Sequence, residues 1–168
     1  MKLVSRRVLA LVILLLLLTV GVPVFVVVRV RVQKDRDVRC VSHLCFIGWR
    51  LHDFADTHDG LLPDSLDVLP TWHPAVLRQY VCPATGHRAG DARRISSWSD
   101  YSYYGKGCRM NDSGSEILAA CWPSNHHGRV GVILYMDGSA QRYESREFAA
   151  IMQNLQGQTN HPAAKSPP

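Results

Sequence analysis

From Val8 to Val28 the chain runs for 21 residues without a charge, as VLALVILLLLLTVGVPVFVVV. At about 1.5 Å per helical residue such a stretch matches the ~30 Å hydrocarbon core of a bilayer. A secretory signal would have a shorter apolar region, about 7–15 residues, ending in a small-x-small cleavage site. No convincing site of that kind follows this stretch. The expectation is a retained membrane helix over residues 8–28, behind a short basic segment, residues 1–7, with the lipid bilayer as partner. Gly21 and Pro23 fall inside the span, where a membrane helix tolerates them at the cost of a kink.

The formal charge of +5 over 168 residues conceals an uneven distribution. Residues 1–39 hold eight Lys/Arg and two Asp, a balance of +6, whereas residues 40–168 hold eleven Lys/Arg and twelve Asp/Glu, a balance of −1. The basic residues therefore belong to the flanks of the span, where they suit lipid headgroups. The remainder has no basic patch to recruit nucleic acid, and none is expected as a partner. Lys2, Arg6 and Arg7 precede the span; Arg29, Arg31, Lys34, Arg36 and Arg39 follow it. By the Lys/Arg count alone the following domain would face the cytoplasm. Five cysteines, Cys40, Cys45, Cys82, Cys108 and Cys121, point instead to an oxidising compartment. Five is an odd number, so at least one thiol is free or pairs between chains, and without a CxxC motif a zinc ribbon is not expected.

Beyond the span the periodicity is helical. Val41, Leu44, Ile47, Leu51 and Phe54 recur every three or four positions and define an amphipathic extension of the membrane helix over residues 29–60. Gly60 and Pro63 stop it, and PDSLDVLP reads as a single helical turn between prolines. YVCPATG and DARRISSWSD read as loop. From Tyr101 the period changes to two. YSYY, EILAACW and the run Val130–Met136 have strand composition, the last with Val130, Val132, Leu134 and Met136 on one face. Asp137-Gly138 signals a two-residue turn with positive φ at both positions, and SAQRY returns as the partner strand. REFAAIMQNLQG is a short C-terminal helix stopped by Gly157. The fold class is α+β: a long N-terminal helix on a small antiparallel sheet of three or four strands, with a globular domain over residues 61–157 and a disordered Pro-rich tail over 158–168.

His127 is separated by nine residues from Asp137-Gly138. At about 3.3 Å per strand residue the pair would lie roughly 30 Å apart if extended, too far to share a proton or an ion. The expected role of His127, Asp137 and Gly138 is structural, with Asp137-Gly138 shaping a hairpin turn and His127 hydrogen-bonding to backbone where the strand begins. His52 and Asp56 are four apart and read as a weak surface pair. Cys45 and Cys121 read as small buried apolar residues. No nucleophile elbow, phosphate loop or HExxH motif occurs, so no catalytic residue, metal ligand or cofactor is assigned and no enzyme class is supported.

Three stretches, in this order, carry a resemblance to a known family: RCVSHLCFIGWRLHDFADTHDGLLPDSL, YVCPATG and SNHHGRVGVILYMDGSAQRY. Together they resemble the bacterial prepilin-type, pseudopilin-like proteins named for a processing-associated H-X9-DG domain, although the GFTLIE-type leader junction and its membrane glutamate are missing here. The resemblance implies a single-pass protein of the bacterial inner membrane with its C-terminal domain outside the cytoplasm. It further implies a structural function, in a type II secretion or type IV pilus-like assembly, with other pseudopilin-like subunits as partners. It also implies a disulfide between Cys40, at the start of the exposed helix, and Cys82, at the Cys-Pro step. An alternative function is a membrane-tethered module that binds a ligand or partner through residues 70–100, and a third is an enzyme or metal protein centred on His126, His127 and Asp137.

Overall fold

The computed structural model describes residues 6–69, 74–110 and 112–158. The apolar stretch folds as α1 (Arg6–Leu16), a π-helical turn (Leu17–Gly21) and the start of α2 (Val22–Asp56). Pro23 lacks the N–H that an α-helix needs and its ring crowds the carbonyl one turn back, so the helix widens just before it. Val22 N–H reaches the Leu17 carbonyl, five residues back. Residues 8–32 are exposed, and Val8–Asp56 is one helix long and apolar enough to cross a bilayer. The chain divides into two units, residues 1–36 and 37–168.

In the second unit, α2 buries Asp37, Cys40, Leu44, Ile47, Gly48, Leu51 and Ala55, at the three-to-four spacing of one helix face. The helix stops where expected. Asp59 and Gly60 both have positive φ, and the Gly60 N–H donates to the Ala55 carbonyl at 2.9 Å, closing the last turn. A 3-10 turn (Leu66–Val68), with Ser65 capping Asp67 N, lies within the PDSLDVLP segment, whose last residue is outside the described residues. YVCPATG is loop as expected, apart from Tyr80 at the end of a 3-10 turn (Arg78–Tyr80), whereas DARRISSWSD holds a 3-10 turn (Ala92–Arg94) and α4 (Ile95–Trp98); α3 (Pro74–Leu77) lies ahead of both. One turn each is too little to leave a periodic signal in the sequence.

Four strands follow, β1 (Tyr101–Tyr103), β2 (Ile117–Cys121), β3 (Val130–Tyr135) and β4 (Ala140–Glu144), as an antiparallel meander in that order. The β2–β3 register shifts between Ile117 and Ala119, so Leu118 and Ala119 both join the core that α2 covers. Val132 and Leu134 face that core as the alternation implied, but the opposite face of β3 is buried as well. There Ile133 packs with Phe148 and Met152 of α5 (Ser145–Gln158). Strand alternation alone cannot disclose this second layer, because β3 is apolar on both faces. Gly131 lets α5 approach: a Cβ there would sit 2.2 Å from Phe148 Cδ2. Gly157, expected to end α5, lies within its final turn, and the expected tail from residue 159 onward lies outside the described residues.

The hairpin turn differs from the expected two-residue type. Leu134 pairs with Ala140, Tyr135 N–H donates to the Ser139 carbonyl and Gly138 N–H to the Tyr135 carbonyl. Only Gly138 has positive φ, at 81°. The loop is thus three residues long, Met136 to Gly138, a tight turn followed by one left-handed residue. The reason lies in Met136, whose side chain is buried, whose N–H is taken by the Glu116 carbonyl and whose carbonyl is taken by His52 Nε2 at 2.9 Å. Held from both sides, Met136 extends the β3 side by one residue before the chain turns. His52 is committed to this contact and not to Asp56.

Candidate metal centre

Four elements converge on one buried point. Helix α2 contributes Asp37 and Cys40, one turn apart on its buried face. The segment after the Arg78–Tyr80 turn contributes Cys82, followed by Pro83. Cys121 is the last residue of β2, and His126 ends the 3-10 turn Pro123–His126 that follows it. That turn begins with Pro at its first position and is closed by His127 and Gly128, both with positive φ, and the Gly128 N–H returns to the Pro123 carbonyl at 2.8 Å. A tight reversal of this kind aims the His126 ring inward while its neighbour points to solvent.

Cys40, Cys82 and Cys121 have no exposed surface and His126 has 1%. Cys82 Sγ lies 3.9 Å from Cys40 Sγ and 3.4 Å from His126 Nε2, and Cys121 Sγ lies 3.5 Å from the same nitrogen. All four donor atoms fall within 4.8 Å of one another. The other ring nitrogen, Nδ1, donates to Asp37 Oδ1 at 2.8 Å, and Asp37 Oδ2 faces Arg129 at 3.7 Å and Arg142 at 3.6 Å. Two N–H groups point at the sulfurs, Ala84 N at Cys82 and Asn125 Nδ2 at Cys121, each at 3.5 Å. Asp100 fixes the Cys82 loop from behind: its Oδ2 accepts from Cys82 N at 2.8 Å and from Thr85 Oγ1 at 2.7 Å, and its carbonyl accepts from Asn125 at 3.0 Å.

Hydrogen bonds and burial shift the ionisation of the buried sulfurs in opposite directions. Hydrogen bonds from the Cys121 and Cys40 thiols, with a contribution from His126, hold the Cys82 thiol far below its ordinary range. Burial, reinforced by the Cys40 and Cys82 sulfurs, pushes Cys121 well above it. For His126, burial opposes the charged form, but the hydrogen bonds and charges of Cys82 and Asp37 outweigh it and raise the pKa. Three sulfurs and an imidazole nitrogen form a soft donor set, suited to thiophilic ions and unsuited to magnesium or calcium.

His127, Asp137 and Gly138 do not form a site. His127 and Asp137 stand at opposite ends of β3. The His127 side chain is exposed and makes no hydrogen bond among the described residues, so its expected bond to backbone is absent. Its contribution is its backbone, with φ at 56°. Asp137 Oδ1 accepts from Ser139 N at 2.9 Å, a turn contact. The sulfurs of Cys40 and Cys82, for which the resemblance implies a disulfide, lie 3.9 Å apart, with Cys121 and His126 beside them. Cys45, expected inside, is exposed, because it falls one position past the buried stripe of α2. The sequence reading missed Cys121, His126 and Asp37 as a group. The available signal was local: Cys121 and His126 are five apart on either side of Pro123, a spacing that lets one short turn present both.

An open cleft of about 960 Å³ borders Cys82, with Arg39, His43, Arg78, His87 and Arg88 in its wall and no acidic residue lining it among the described residues. Comparison with protein-family models, curated proteins and solved structures finds no match.

Proposed function

We propose that the chain is a membrane-anchored structural subunit of the pseudopilin-like type, without enzymatic activity. Its span sits in the bacterial inner membrane, and its C-terminal domain works outside the cytoplasm in a type II secretion or type IV pilus-like assembly. One observation supports this reading above others. A single helix, α2, begins within the apolar stretch at Val22, and its later turns bury Cys40, Leu44, Ile47, Leu51 and Ala55 in the core shared with the antiparallel sheet, so one element supplies both an apolar segment and core residues. The test is cross-linking in intact membranes followed by mass spectrometry. Recovery of cross-links to other pilin-like subunits is the expected result, and recovery of the chain only as a monomer overturns the reading. Orientation has its own test, because the Lys/Arg count taken alone would place the domain on the cytoplasmic side. A reporter active only in the cytoplasm, fused after Pro168, is expected to be silent; strong signal reverses the topology.

A second reading, a tethered binding module, is favoured by the cleft beside Cys82. Three arginines and His43, beside a His87 that is paired with Asp100 at 2.7 Å, suit a small anion. Titration of the full chain with inorganic phosphate tests it, and a Kd that does not respond to Arg78→Ala removes it.

A further inference from the structure

We infer that Cys40, Cys82, Cys121 and His126 form a closed four-ligand site for one zinc ion, with Asp37 as the residue that positions the imidazole. The inference is independent of the pilin-like reading and stands on geometry. With Zn–S bonds of about 2.3 Å and a Zn–N bond of about 2.0–2.1 Å, tetrahedral coordination places two sulfurs about 3.8 Å apart and a sulfur and a nitrogen about 3.5 Å apart. The protein holds the Cys40–Cys82 sulfurs at 3.9 Å and the two sulfur–nitrogen pairs at 3.4 and 3.5 Å. Thiols in plain van der Waals contact lie at similar distances; what the ion accounts for is that three sulfurs and one imidazole nitrogen, drawn from four chain segments, converge with all donor atoms within 4.8 Å of one another and with the imidazole backed by a buried carboxylate. A disulfide would require sulfurs about 2.0 Å apart. It would also use only two of the four donors and leave Cys121 and His126 pointing at a closed bond.

The surroundings match what a thiolate-bound cation needs. His126 offers Nε2 to the ion and donates a hydrogen bond from Nδ1–H to a buried carboxylate, the arrangement that fixes the tautomer and raises the basicity of a metal-bound histidine. Three thiolates and Zn²⁺ carry a net charge of −1, and Asp37 adds another. Arg129 and Arg142 answer both from the outer side of Asp37. The Ala84 and Asn125 N–H groups point at two of the sulfurs and offset their charge. Binding is proton exchange and not redox chemistry: Zn²⁺ enters, the remaining thiol protons leave to solvent, and no electrons move.

All four ligands are protein side chains with at most 1% of their surface exposed, so no coordination position is left for water or substrate. The site is therefore structural. It ties α2, the Cys82 loop and the end of β2 together, joining residues 42 and 44 positions apart in the chain. In a domain whose middle segments have only single-turn elements, the site adds to the core packing of Tyr80 and Ile95 and to the Asp100 hydrogen bonds that hold them.

The experiment uses the full chain, purified in detergent under reducing conditions, with metal content read by mass spectrometry. About one zinc per chain is expected, and Cys121→Ser should lose it. Asp37→Asn should keep the site but weaken zinc about 10–100-fold in chelator competition. Should Cys121→Ser fail to fold, wild type loaded with Co²⁺ decides, because tetrahedral coordination by three sulfurs and one nitrogen gives intense visible d–d bands and a thiolate-to-cobalt charge-transfer band. Absence of those bands overturns the inference. So does zinc content unchanged in a folded Cys121→Ser, or a metal-free chain whose peptide map shows Cys40 disulfide-bonded to Cys82.

Discussion

His126 Nδ1 donates to Asp37 Oδ1 at 2.8 Å, joining two buried side chains 89 residues apart, one from the helix that begins in the apolar segment and one from the turn after β2. Both lie at 5% side-chain exposure or less, so the contact is made out of water and removal of one partner strands the other. Asp37→Ala should lower stability by about 1–3 kcal/mol, the cost of an unsatisfied buried N–H. Arg142→Ala, whose side chain is 43% exposed, should cost less than about 1 kcal/mol. Chemical denaturation of the two variants beside wild type, in the same detergent, checks the order; equal losses would refute it.

Two glycines near the hairpin fail in different ways when replaced. At Gly138 the space around a Cβ is open, with His52 Nε2 at 3.8 Å, but φ is 81°. Gly138→Val should therefore cost about 1–3 kcal/mol through backbone strain, and Gly138→Asn, which tolerates the left-handed region, distinctly less. Thermal unfolding of both variants separates them, and a valine variant that melts like wild type would disprove the assignment of the strain to φ.

At Gly131 the conflict is steric. A Cβ would lie 2.2 Å from Phe148 Cδ2 and 2.5 Å from Cε2, so Gly131→Ala must push α5 away from the sheet. A loss of about 1–3 kcal/mol is expected, the usual range for overpacking a well-filled core. Phe148→Leu in the Gly131→Ala background should recover part of it. A double variant no better than the single one would place the damage elsewhere.

The Tyr80 hydroxyl is buried without a hydrogen-bond partner among the described residues, and burial pushes its pKa up to about 12. An unpaired hydroxyl removed from water is unfavourable, so Tyr80→Phe should stabilise the protein by about 1 kcal/mol and keep its fold. Destabilisation in the melting curve would mean that the hydroxyl has a partner.

His127→Ala should change stability by no more than about 0.5 kcal/mol, since the ring is exposed and makes no hydrogen bond among the described residues. His127→Gly should be stabilising, because φ at 56° favours glycine. The paired melting curves test whether the histidine acts through its backbone, and a large loss in His127→Ala would reject that.

Sequence by itself determined the features that depend on neighbours along the chain. The uncharged run Val8–Val28, the stripe Leu44-Ile47-Leu51, the stop at Gly60 and the four strand segments each follow from composition and period, and the α+β order follows from them. The tertiary structure decided what depends on residues distant in sequence. Met136 is held by Glu116 and His52, and this made the hairpin loop three residues long where Asp-Gly suggested two. Phe148 covers the second face of β3, which alternation cannot distinguish from an exposed face when both are apolar. Above all, Cys40, Cys82, Cys121 and His126 have no motif spacing, because their ligand atoms are brought together by a helix, a loop, a strand end and a turn. A metal motif is legible in sequence only when two ligands sit on one knuckle, and here the nearest pair, Cys121 and His126, needed the left-handed closure at His127 and Gly128 to share a side. Local periodicity fixes elements; the approach of side chains across 42 to 89 residues is set by packing, which no short window of sequence contains.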